Sequence, residues 1–99
     1  MILEKLTLAL STYMATIKKK SWPNIFSLMK SGKKKFDLRV ADFKIKEGDT
    51  LVLEEYDSRK KKYTGRKLAK KVKYVMKFRL DDFGQKAKVV KKGLYVIQV

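Results

Sequence analysis

The chain has 99 residues, 44% of them hydrophobic, which suits one small core and a single domain. Its 26 Lys and Arg face 10 Asp and Glu, a formal charge of +16, and it contains neither cysteine nor histidine. That composition excludes a disulfide framework, a thiolate nucleophile, a cysteine or histidine metal site and histidine general-base chemistry; neither a metal nor a cofactor is expected.

Residues 1–14 form a mildly apolar lead-in (Ile2, Leu3, Leu6, Leu8, Leu10) broken by Glu4 and Lys5. It falls well short of the roughly 20 apolar residues a membrane span needs, and it lacks a basic start and a small-residue cleavage site. A short helix or irregular segment is expected there, and Met14, just before a clean strand signal, is a second candidate start of translation. Residues 15–99 form the domain proper, for which a cytoplasmic address is the simplest fit to a cysteine-free chain.

Ala15 to Lys20 reads as a short strand ending in a basic corner. Ser21 suits a helix N-cap and Pro23 a first helical turn. Trp22, Ile25, Phe26 and Met29 then fall at i, i+3, i+4 and i+7, predicting one helix with Trp22 on its buried or half-buried face. Lys30 lies in the last turn and Gly32 is the expected C-terminal cap. Lys33 to Val40 alternates, Phe36, Leu38 and Val40 against Lys35, Asp37 and Arg39, and predicts a strand. A turn at Glu47-Gly48-Asp49 leads into a strong strand over Thr50 to Tyr56, then a polar hairpin loop over Asp57 to Gly65. A long half-buried strand is expected over Arg66 to Arg79, a loop or one short turn over Asp81 to Lys92, and a closing strand over Leu94 to Val99. Five or six strands with one early helix predict a small, mostly antiparallel α+β barrel.

The charge is spread along the chain: residues 1–50 carry 11 basic and 5 acidic side chains, residues 51–99 carry 15 and 5. A folded surface rather than a tail must therefore hold it, and a polyanion would relieve the self-repulsion. A thermophile-like surface would add Glu with Lys and balance the charge, which this chain does not do. A membrane surface is disfavoured because the one strong helix carries few cations. Two clusters stand out. Lys33, Lys34, Lys35 and Arg39 follow the helix and Gly32, where they either clasp a phosphate or base edge or simply line a solvated strand. Lys60, Lys61, Lys62, Tyr63 and Arg66, with Arg59, crowd the hairpin, where cations around a tyrosine suit backbone contact and base stacking better than a merely soluble loop tip.

The words themselves carry a resemblance. Phe26-x-x-Met29-x-Ser31-Gly32-Lys33-Lys34-Lys35-Phe36-Asp37-Leu38-Arg39, then Ile45-x-x-Gly48-Asp49-x-Leu51-Val52-Leu53-x-Glu55-Tyr56, then Tyr63-Thr64-Gly65-Arg66 and Gly93-Leu94-Tyr95-Val96-Ile97 occur in that order. Over residues 15–99 the chain resembles the ASCH domains of the PUA-like superfamily, closest to their compact, uncharacterised phage and microbial branch. The resemblance implies a PUA-like β-barrel with its first helix and following strand flanking a cleft, lined here by Gly32, Lys34, Asp37 and Arg39. It implies RNA as the partner, while the net charge of +16 leaves DNA possible. Some ASCH members are amidohydrolases acting on acylated nucleosides, and on that alternative Lys34 with Asp37 would supply the acid or base. Lys35 stands where relatives usually have Thr and Asp37 where they have Glu, and nothing between Lys77 and Lys92 resembles the insertion that carries the enzymes' Glu. An acyl intermediate on Asp37 would be a reactive anhydride, so binding is the leading expectation. A basic module gripping an acidic protein is the third.

Overall fold

The computed structural model describes residues 14–99, so the lead-in expected over residues 1–13 lies outside the described residues. Three strands form one mixed sheet in the order β1-β2-β3: β1 (Thr16–Ser21), β2 (Thr50–Asp57) and β3 (Lys62–Lys71). Helix α1 (Pro23–Ser31) connects β1 towards β2, and helix α2 (Lys86–Lys92) lies near the C-terminus. β1 and β2 run parallel, with Ile17 opposite Leu51, Lys19 opposite Leu53 and Ser21 opposite Glu55; β2 and β3 are antiparallel. The architecture is small α+β, and the sheet is not closed into a barrel among the described residues.

Strand alternation sorts the side chains onto two faces. Ile17, Leu51, Leu53 and Leu68 lie on one face and meet Phe26 and Met29 of α1; Phe26, Met29, Leu51 and Leu53 are the buried hydrophobic core, with Ile25, Ile45 and Val72 packed around it. Burying side chains of this size contributes about 1.5–3 kcal/mol each. The helix begins as its sequence dictates at Pro23, whose missing N–H costs nothing in the first turn. Its N-cap is Trp22, without a side-chain cap, not Ser21, which completes β1. Gly32 ends it in the left-handed region at φ 80°, donating its N–H to the Met29 carbonyl.

Several expected elements differ. Lys33 to Val40 has no regular structure, and Leu38 and Val40 are 64% and 78% exposed. The hairpin turn is only Ser58–Lys61, so Lys62 to Gly65 belong to β3, which ends at Lys71 instead of running to Arg79. The span read as a loop before Gly93 holds α2, and Leu94 to Val99 form no strand. With a parallel β1-β2 pair and three strands in place of five or six, the sheet is mixed and open. The cause is common to the two missing strands and the shortened β3: a period-2 pattern fixes the side of each residue but supplies no hydrogen-bonding edge. In place of a ladder, the Gln98 side chain makes one rung, accepting from Lys35 N–H (2.6 Å) and donating to the Lys33 carbonyl (3.1 Å).

Asp49 ties the three strands together at one end of the sheet. Buried in the turn before β2, its carboxylate accepts from Ala15 N–H (2.9 Å), Lys46 N–H (2.9 Å) and Lys46 Nζ (2.8 Å), while its carbonyl accepts from Val72 N–H. The Lys46 ammonium and these amides hold its pKa down to about 2. Gly48 beside it needs its glycine: φ is 93°, and a Cβ would meet Met14 Sδ at 2.5 Å.

Candidate functional site

The two predicted clusters meet different fates. In the Gly32–Arg39 segment Lys34 and Arg39 turn onto their own chain. Lys34 Nζ donates to the Phe36 carbonyl at 2.6 Å and lies 4.3 Å from the Phe36 ring centre, and Arg39 Nε pairs with Asp37 Oδ2 at 2.7 Å. Asp37 is therefore engaged by Arg39, with no contact to Lys34 among the described residues. Gly32 serves the helix cap and has open space around its Cα, so no closely approaching group explains it. Lys33 and Lys35 are exposed, and their backbones take the Gln98 rung.

The hairpin presents its cations outward. The Asp57 carboxylate accepts from Arg59 N–H (2.9 Å) and Lys60 N–H (3.1 Å), bonds that shape the turn and hold its pKa below the usual carboxylate value, the Lys60 amide most of all. Lys61 adopts φ 52°, the only positive φ outside glycine among the described residues. Arg59, Lys60, Lys61 and Lys62 are all exposed and take part in no ion pair among the described residues.

Tyr63-Thr64-Gly65-Arg66 sits where β3 bulges. Glu54 pairs with Lys67 and Tyr56 with Tyr63, so Glu55 alone faces Thr64, Gly65 and Arg66. Gly65 at φ 93° makes that detour possible, and it lets both flanking side chains reach one carboxylate. Glu55, 4% exposed on the helix-facing side, accepts from Thr64 Oγ1 at 2.7 Å and from Arg66 Nη1 at 3.5 Å. The Arg66 guanidinium also lies 5.0 Å from the Phe26 ring centre. Arg66 thus neutralises a buried acid, a duty the sequence did not reveal. Ser21, across from Glu55, is buried with its hydroxyl unpartnered among the described residues.

The opposite face of the same hairpin carries an aromatic array that only the structure brings together. Tyr56 lies between Trp22 (ring centres 5.9 Å apart, planes at 53°) and Tyr63 (5.1 Å, 74°). Lys20 places its ammonium 4.2 Å from the Tyr56 ring centre and 5.7 Å from that of Tyr63. Trp22 and Tyr63 remain 50% and 49% exposed. The signal available in the sequence was Pro23: as the first helical residue it leaves Trp22 outside the helix, so the i, i+3, i+4, i+7 register with Met29 does not carry Trp22 into the core. A shallow depression of about 330 Å³ bounded by Pro23, Asn24, Asp57, Ser58 and Arg59 adjoins this end; a second, of about 570 Å³, lies at Met14, Gly48 and Lys71 to Lys73. Neither is lined by the Gly32–Arg39 segment.

Among the described residues no cluster of His, Cys, Asp or Glu is arranged to hold a metal ion, and no helix is long and apolar enough to cross a membrane. Fold and surface define a small basic α+β domain in which Arg59 to Lys62 form one exposed row of cations at the hairpin end of a three-stranded sheet. The chain belongs to the family described as a domain of unknown function, DUF3850, whose model matches residues 16–91. No curated protein and no solved structure matches it.

Proposed function

We propose that this domain binds nucleic acid, RNA in the first instance, by gripping phosphates. The observation that carries the reading is the unneutralised charge: of 26 Lys and Arg, ion pairs among the described residues engage Arg39, Lys46, Arg66 and Lys67, while Arg59 to Lys62 stand together at an exposed turn. Phosphate is the anion such a row suits, because counterion release drives the association. The resemblance of residues 15–99 to ASCH domains supports the same partner, and on it the β1-α1-β2-β3 unit is part of a PUA-like barrel. The grip is centred on the hairpin and the open face of β1, where Lys18 and Lys20 are exposed, with Lys33 and Lys35 as flanking contacts. Lys34, Arg39 and Arg66 chiefly hold the fold on this reading. Titration of the full chain with a short RNA across a salt series tests it: five phosphate contacts would weaken binding at least about a hundredfold between about 50 and 200 mM salt. Binding without a salt slope, or none at low salt, refutes it.

A further inference from the structure

We infer that Trp22 and Tyr63 stack on unpaired bases, so that the ligand is single-stranded RNA rather than duplex; this rests on the phosphate-gripping reading above and adds what the domain selects. Three observations converge. Two large aromatic rings stay half exposed on either side of Tyr56, and rings of this size ordinarily gain stability by burial. They are held in place: Tyr56 and Tyr63 face each other across β2 and β3, and Trp22 is fixed between the end of β1 and Pro23 of α1. Preorganised rings lose little freedom when a flat partner arrives. Finally, the array lies beside cations. Lys20 sits over two of its rings, and the Lys62 backbone runs directly into Tyr63.

Rings between phosphate-binding cations match the repeating chemistry of a single strand, in which each nucleotide offers one phosphate and one free base face. A duplex offers the phosphates but keeps its base faces stacked inside, and the deep major groove of A-form RNA keeps side chains from the bases. The tilt of 53° and 74° between neighbouring rings gives separate platforms instead of one continuous stack, so each exposed ring takes its own base. An acidic protein would find the cations, yet without planar groups it would leave both ring faces idle.

Trp22 is the sole tryptophan, so its emission reports this site alone. The full chain would be titrated with a uridine oligonucleotide of about 12 residues, with the same strand paired to oligoadenylate, and with polyglutamate, at several salt concentrations. The single strand should quench Trp22 saturably and the duplex should not. Trp22→Ala and Tyr63→Ala should each weaken single-strand binding by about five- to a hundredfold while leaving the salt slope unchanged, because stacking releases no counterions. Salt-dependent binding without quenching, with both variants as tight as the wild type, overturns the stacking and leaves the phosphate grip standing. Absence of binding to either nucleic acid at low salt overturns both. Quenching by polyglutamate but not by the oligonucleotide assigns the surface to an acidic protein and overturns the inference.

Discussion

Replacing Arg59, Lys60, Lys61 and Lys62 together by alanine should flatten the salt dependence of RNA binding without weakening the fold. The side chains are exposed and form no ion pair among the described residues, and the turn is held by the Asp57 carboxylate through the Arg59 and Lys60 amides, which alanine keeps. Each phosphate contact to a single strand contributes a slope of about −0.7 in log K against log salt, so four contribute about −3. Over a fourfold rise in salt the wild type should therefore lose about 50-fold more affinity than the variant. Arg39→Ala and Lys34→Ala should behave in the opposite sense. Arg39 would leave a mostly buried Asp37 without its 2.7 Å partner, and Lys34 would leave the Phe36 carbonyl without its donor. Each should cost up to about 1 kcal/mol of stability and change the slope by less than one unit. Fluorescence anisotropy of a labelled oligonucleotide gives the slopes and thermal unfolding gives the stabilities. If Arg39→Ala or Lys34→Ala flattens the slope as much as the turn variant and leaves the melting temperature unchanged, the assignment of the grip to the hairpin is wrong.

Lys61→Gly relieves the positive φ of 52° and should raise stability by about 0.5 kcal/mol, seen as a few degrees in thermal unfolding, while lowering the salt slope by about one phosphate. Asp49 titrates at about 2 in the folded chain against 3.8 ordinarily, so its contribution is complete above about pH 5 and is lost as pH falls through 3.8 towards 2. Asp49→Asn should therefore be less stable than the wild type at pH 7 and converge on it near pH 2, measured by urea unfolding across that range. Leu53→Ala, at a fully buried position between Phe26 and Met29, should cost about 2–5 kcal/mol, a large share of the total for a core this small, read from the urea midpoint.

Legibility followed the density of local signals. β1, α1 and β2 were readable because each has its own punctuation: a basic corner and Pro23, a left-handed Gly32, and the Gly48-Asp49 turn. Alternation over Phe36 to Val40 and over Tyr74 to Phe78 was equally regular, yet neither segment pairs, since pairing depends on an edge elsewhere in the chain. The site divided in the same way. The exposed cations of the hairpin could be read because crowding of like charge is visible in one dimension. Arg66 and Thr64 could not: their claim on Glu55 depends on a bulge that sets three residues of β3 against one of β2. The contact of Trp22 with Tyr56 was equally hidden, because it spans 34 positions and two strands that run side by side.

The hairpin breaks two local rules within a few residues. Four cations in succession repel one another where a turn forces them together, and Lys61 takes a conformation that costs a side-chain-bearing residue about 1–2 kcal/mol and that glycine would adopt freely. Glycine is used for this purpose nearby, at Gly65, where the bulge demands it. A chain able to place glycine at one positive φ and lysine at another four residues away carries both costs at the tip, on an exposed surface that runs into Tyr63. Local conflicts gather where a surface serves a ligand more than the fold. On the proposed reading, a phosphate backbone laid along the turn would offset the repulsion that the folded chain alone bears.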